Sequence, residues 1–343
     1  MLHFAKRYGT ALATAVGLGL AVTLVLSTDV AALRAAISRV GLAAPVVVGI
    51  QLCVVALAGL GWAPLVITWG RARLRVFVGL RFVREAVNVL LPVAAVGGDV
   101  LGGRLLTRWS VPPGVAAASI LSDLTVQLFT QLLFAALGIV VLAISGKSGI
   151  VVLRAASAVG IGALALAGFF AVQRLGFFRL TEVILKWVAR RWPAATSGNA
   201  VRLHETLRAI YARPRKVALA TGLHLAAWLL GTLESFAVLT AIGGVSSLAV
   251  ALVVESLGQA FRTLGAPVPG ALGVQEGGYI LLVGLYGMPP ETGLALSLTK
   301  RIPDLLIGMA GLTAWLGLES GRIGPAGARR AALAQHAGED ISR

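Results

Sequence analysis

Charge is scarce in this sequence. Only 13% of its 343 residues are charged, about half the share of a soluble domain. Aromatic residues are sparse at 6%, while 57% of the chain is hydrophobic. A chain so poor in charge cannot cover a globule with polar surface, which excludes an ordinary soluble enzyme. Acids are scarcer still: 14 Asp plus Glu stand against 30 Lys plus Arg, a formal net charge of +16. In a soluble protein that imbalance would suggest nucleic acid. In a membrane protein it arises from Lys and Arg gathered in cytoplasmic loops, so no nucleic-acid partner is expected. Cysteine is nearly absent. Cys53 alone, in an apolar run, excludes an internal disulfide and a Cys-based metal cage. His3, His204, His224 and His336 have no metal-ligand spacing. No nucleophile motif, phosphate-cradling loop or paired-carboxylate signature stands out, so no catalytic residue, metal or cofactor is expected.

Long apolar stretches are what the chain has in quantity, and about 20 residues suffice to cross a bilayer. Six read as full spans, near 10–27, 45–68, 115–144, 150–172, 217–241 and 292–318. The first, behind Lys6 and Arg7, could also describe a signal peptide. Its apolar part is longer than a signal core, and the following STDVAA lacks a convincing cleavage site. Two further stretches, 74–108 and 246–288, are apolar but broken, by LPVAAVGGDVLGG (91–103) and APVPGALGVQEGG (266–278). Proline and glycine there interrupt the helix ladder. Unpaired backbone at membrane depth survives only inside protein or beside a wet cavity. Both stretches are read as re-entrant helical hairpins, the alternative being pairs of short kinked spans.

Basic residues give the orientation. With a cytoplasmic N-terminus, residues 173–216 fall inside and hold ten Lys or Arg. The outside loops would carry only Arg34, Arg39 and Lys147, with Arg154 just inside the bilayer. That asymmetry follows the positive-inside rule and puts both termini in the cytoplasm. The segment 173–216 reads as amphipathic helix on the cytoplasmic face, anchored by Trp187 and Trp192. Residues 319–343 read as a short disordered tail beyond a single membrane domain, 1–318. Gly160 and Gly162 suggest close helix packing.

The two broken segments superpose with a constant shift of about 177 residues. Pro92 falls on Pro269, Pro112-Pro113 on Pro289-Pro290, and Asp99 on Glu276. The repeat units are about 43–144 and 217–318. Three crossings separate equivalent points, and an odd number inverts the second copy. Inverted repeats with broken helices at midplane recur in secondary transporters.

Seven acids sit in or beside these segments: Glu85, Asp99, Asp123, Glu234, Glu255, Glu276 and Asp304. Arg84, Arg104, Arg262, Lys300 and Arg301 share that depth. A central charge costs at least about 2.5 kcal/mol. Such groups either line a polar path for a headgroup or proton, or lock helices together as ion pairs. Asp123 falls opposite Lys300 on the repeat diagonal, suggesting a pair across the pseudo-twofold. Glu234 near His224 reads as a structural polar contact. With neighbouring Gly97, Gly98 and Gln275, the candidate substrate or coupling residues are Arg84, Glu85, Asp99, Arg104, Asp123, Glu255, Arg262, Glu276, Lys300, Arg301 and Asp304.

The motifs GGDVLGGRLL (97–106), AAASILSDLTVQLFTQLLF (116–134), PVPGALGVQEGG (267–278) and SLTKRIPDLL (297–306) make the chain resemble the flippase-like transmembrane family. That family includes the membrane region of lysylphosphatidylglycerol synthetases, and the resemblance runs nearest to its hopanoid-associated members. It covers roughly residues 10–318. It implies a role in moving lipid between leaflets and marks Gly97, Gly98, Asp99, Asp123, Gly273, Glu276, Gly277, Gly278, Arg301 and Asp304 as signature positions. The soluble aminoacyl-transfer domain of full-length synthetases is not expected, and aminoacyl transfer with it. The expectation is a multi-pass transporter of the bacterial inner membrane, taking an amphipathic lipid, with a hopanoid as one candidate, across or out of that membrane. Other lipid-biosynthesis or transport proteins are candidate partners, and the oligomeric state is open. A membrane enzyme or a scaffold in lipid biosynthesis is the alternative.

Overall fold

The computed structural model describes residues 23, 30–41, 43–67, 74–90, 97–146, 149–175, 199–243, 247–265 and 268–320. Among them the chain is helical, without strands. The helices are α1 (Val30–Val40), α2 (Ala44–Trp62), α3 (Leu74–Leu90), α4 (Gly97–Leu106), α5 (Pro113–Ile144), α6 (Gly149–Leu175), α7 (Asn199–Tyr211), α8 (Pro214–Ile242), α9 (Leu248–Leu264), α10 (Val274–Gly284) and α11 (Pro290–Glu319). Among the described residues four helical stretches are long and apolar enough to cross a membrane: Ala44–Leu65, Pro113–Ile144, Pro214–Ile242 and Pro290–Glu319. The protein is a multi-pass membrane protein. Each of the four long helices carries proline in its first turn. Proline there gives up an N–H that has no partner in the helix and presets the helical φ. At the other end of α8, Gly243 takes φ +88° and caps the helix by donating to Leu239 and Thr240.

Apart from Thr23, the expected span 10–27 lies outside the described residues, as do the tail beyond 320 and residues 176–198 with Trp187 and Trp192. The expected span 150–172 is the continuous helix α6, which is not among those four. Of the basic segment, α7 is described, with Leu203, Leu207 and Ile210 buried. Two expectations are corrected. The stretch with Arg34 and Arg39 is a helix, not a loop. Leu33, Ala36 and Val40 recur at helical spacing and are buried, and Arg39 donates to the Ile242 carbonyl at 3.1 Å. Among the described residues a Cβ on Gly160 would meet nothing within 4 Å, so no close packing is seen there, whereas a Cβ on Gly162 would lie 3.1 Å from Leu132.

Each broken stretch is two short helices: α3 and α4 around residues 91–96, and α9 and α10 around a 3-10 turn at Pro269–Ala271. Their lengths of 17, 10, 17 and 11 residues fall below the ~20 needed to span. α2 lies along α8, α3 along α11, and α9 along α5. Small residues allow these approaches. A Cβ on Gly61 of α2 would lie 2.9 Å from the His224 ring of α8, and one on Gly311 of α11 would lie 2.5 Å from the Phe82 carbonyl of α3. Pro303 sits inside α11 and leaves the Thr299 carbonyl without its helical donor, beside Lys300 and Arg301.

Candidate functional site

The first cluster centres on Arg84, whose side chain is fully buried on α3. Its Nε and Nη2 donate to Asp99 Oδ1 at 2.9 and 2.5 Å. Its Nη1 lies 2.8 Å from Asp123 Oδ2 on α5. The guanidinium stacks over the Trp62 ring, 4.7 Å from the centroid, a cation–π contact strengthened by exclusion of water. Trp62 is held in turn by its indole N–H donating to Ser119 Oγ at 3.1 Å. Asp123 Oδ1 meets His224 Nε2 of α8 at 2.9 Å. Arg81 comes within 3.7 Å of Asp123 and 3.5 Å of Glu85. Asn88 donates to Asp99 Oδ2 at 3.3 Å and accepts the Gly98 N–H at 2.7 Å. Helix α4 can come this close only because of glycine. A Cβ on Gly98 would lie 2.1 Å from the Arg84 carbonyl, and one on Gly102 2.5 Å from Arg84 Cγ.

The second half builds a parallel arrangement from different parts. Glu276 is the third residue of α10 as Asp99 is of α4. Both acids therefore lie in the first turn, where the helix dipole favours an anion. Arg301 Nε and Nη2 donate to Glu276 Oε1 at 3.0 and 2.6 Å, and its Nη1 donates to the Gly270 carbonyl at 3.1 Å. Glu276 Oε2 accepts the Gly273 N–H at 2.6 Å. Ser297 donates to Glu276 and accepts from Gln275. The gripping arginine comes from the preceding helix in the first half and from the following helix in the second. Between Val268 and Gly273 the chain turns through positive φ at Gly270, Ala271 and Gly273. Glycine takes that region at no cost and alanine does not.

Two more ionic groups complete the interior. Lys300 Nζ lies 3.0 Å from Glu255 Oε2 and 3.3 Å from Glu234 Oε2. Ser235 donates to Glu255, and Gln259 donates to its other oxygen at 2.8 Å. Arg262 pairs with Asp304 at 2.9 Å. Amides link the halves. Gln127 donates to Asp123 at 2.8 Å and accepts from Arg81 at 2.9 Å. Gln131, one turn on, donates to the Gln259 carbonyl at 3.2 Å and to Thr263. A polar seam thus runs along the apposed faces of α5 and α9.

The model of the lysylphosphatidylglycerol synthase TM region matches residues 10–311. The chain belongs to this family. The family takes its name from a synthase whose product is a phospholipid, which ties the chain to membrane lipids. Comparison with curated proteins and with solved structures gave no match.

In this family member the residues expected to act fall into separate groups. Arg84, Asp99 and Asp123 come together, with Gly97 and Gly98 opening α4 beside them. Glu85 stands at the half-buried edge with Arg81. Gln275, Glu276 and Arg301 form the second group, Glu255 and Lys300 the third, and Arg262 with Asp304 the fourth. Arg104 joins none of these. Its side chain is 56% exposed and pairs with Glu319. The pair expected between Asp123 and Lys300 is not formed. Asp123 is taken by Arg84 and His224, and Lys300 by two glutamates. Glu234 meets Lys300 rather than His224. Trp62, Arg81, Asn88 and Gln127 were not expected in the site. Gln127 carries a readable signal, lying four residues after Asp123 on one helix face, whereas Trp62 and Asn88 reach the site only through helix packing.

Proposed function

We propose that this protein moves an amphipathic lipid between the leaflets of the bacterial inner membrane, or out of it, acting as a transporter rather than an enzyme. The observation that carries the reading is the polar seam. Seven carboxylates and five cationic groups are held in a lipid-spanning fold and joined across α5 and α9 by amides. A headgroup passing along that seam replaces hydrogen bonds it would otherwise lose on leaving water, while its apolar part stays in lipid.

The helix pattern supports an inverted repeat at its base. α4 begins at Gly97 and α10 at Val274; α5 begins at Pro113 and α11 at Pro290. Both intervals are 177 residues. The helices of each broken pair are too short to span, which favours re-entrant hairpins opening to opposite sides, with both termini cytoplasmic. A hopanoid is one candidate cargo.

The test is leaflet exchange. Purified protein goes into phosphatidylcholine vesicles carrying fluorescent lipids with anionic, zwitterionic or aminoacylated heads, or a labelled hopanoid, and a membrane-impermeant quencher reads exchange. The expected result is faster quenching than in protein-free vesicles for at least one head, slowed at least tenfold by Asp99→Asn or Glu276→Gln. Equal rates with and without protein for every lipid overturn the reading.

A further inference from the structure

Among the described residues the buried charges balance except at one place. Arg84 is shared between Asp99 and Asp123 with Arg81 beside them, Arg301 meets Glu276, and Arg262 meets Asp304. The first group also holds His224 against Asp123, and its third acid, Glu85, is 23% exposed and reaches the edge of the fold. At the third group one ammonium faces two carboxylates, and all three side chains are at most 4% exposed. With both glutamates ionised this triad would hold a net negative charge in the core of a membrane protein. Such a charge is neutralised before it is tolerated.

We infer that the triad Glu234–Lys300–Glu255 binds one exchangeable proton, carried on Glu234. The hydrogen bonds decide which glutamate takes it. Glu255 faces three donors, Lys300, Ser235 and Gln259, and such donors stabilise a carboxylate. Glu234 meets Lys300 alone of these. A metal ion does not serve in place of the proton. Lys300 Nζ already occupies the position between the two Oε2 atoms, and the described residues contain no group of His, Cys, Asp and Glu that could hold a metal. A proton needs no room.

The groups within electrostatic reach come from four helices: Glu234 on α8, Glu255 and Arg262 on α9, Tyr279 on α10, and Lys300 and Asp304 on α11. Deprotonation turns the contact joining α8, α9 and α11 from neutral to negative. This site does not depend on the transport reading, and its test involves no lipid movement.

The test uses infrared difference spectroscopy on the full chain in phosphatidylcholine vesicles. At neutral pH the wild type is expected to show a protonated-carboxyl C=O band that disappears in alkali. Glu234→Gln and Glu255→Gln should each abolish it, because either leaves one carboxylate for one ammonium. Lys300→Met should about double it, because both glutamates then need a proton. The folded protein binds this proton and the unfolded chain at neutral pH does not, so wild-type stability falls as pH rises through the titration. The melting temperature of Glu234→Gln should not show that fall. No wild-type band, or a band that both Gln variants retain, overturns the inference. So does a band that sodium chloride removes at constant pH, which would place a metal cation there instead.

Discussion

At the scale of single residues, small size matters as much as charge. Gly102 faces the Arg84 stem closely enough that any Cβ would collide with Cγ and Cδ, at 2.5 and 2.6 Å. Gly102→Leu should therefore push α4 off Arg84, break the bonds to Asp99 and cost about 1–3 kcal/mol or more. Gly79→Leu on α3, where nothing lies within 4 Å, is the control and should stay within about 0.5 kcal/mol. Thermal or denaturant unfolding in detergent measures both, and equal losses would mean that α4 does not rest on this contact. The position of Asp99 and Glu276 at the two breaks was legible from the chain, because an acid beside a glycine-rich break in an apolar run stands out. Their partners were not. Arg84 was one of several bases at similar depth, and only packing places its guanidinium between two carboxylates and over Trp62.

At the scale of helices, the breaks read well from sequence because proline and glycine act locally, whatever the fold. The helix α1 did not, since two arginines in a short segment look like a loop until Leu33, Ala36 and Val40 find a surface to cover. The end of α11 is tied down in a way no local pattern shows. Arg108 donates to the Leu318 carbonyl at 2.5 Å and to Glu319, and Arg104 lies 3.4 Å from Glu319. This clasp joins the turn after α4 to the last helix at a partly exposed site. Exposed pairs are weak and screened by salt. Glu319→Gln is expected to lower stability by less than about 1 kcal/mol at low salt, with no difference from wild type at about 1 M salt. A larger loss that persists in high salt would show that the clasp is effectively buried.

At the scale of the whole molecule, the two halves exchange partners: a short helix of each packs on a long helix of the other, α3 on α11 and α9 on α5. The proposed inverted arrangement predicts which faces meet which compartment. On a Cys53→Ser background, Ser145→Cys, after α5, should react with an impermeant thiol reagent from outside intact cells. Glu205→Cys, on α7, should react only after the membrane is opened. Labelling of both from one side would remove the inversion.

The sequence by itself determined the solvent, the long helices and the positions of the breaks. Apolar content, helix length and the conformational limits of proline and glycine are properties of short stretches of chain. Only the tertiary structure decided which charges meet. It separated Asp123 from Lys300, gave Arg84 and His224 to the one and two glutamates to the other, and left Arg104 at the surface. Ion pairs form through space between helices far apart in sequence, and a few ångströms of helix packing select among bases that the chain alone leaves equivalent.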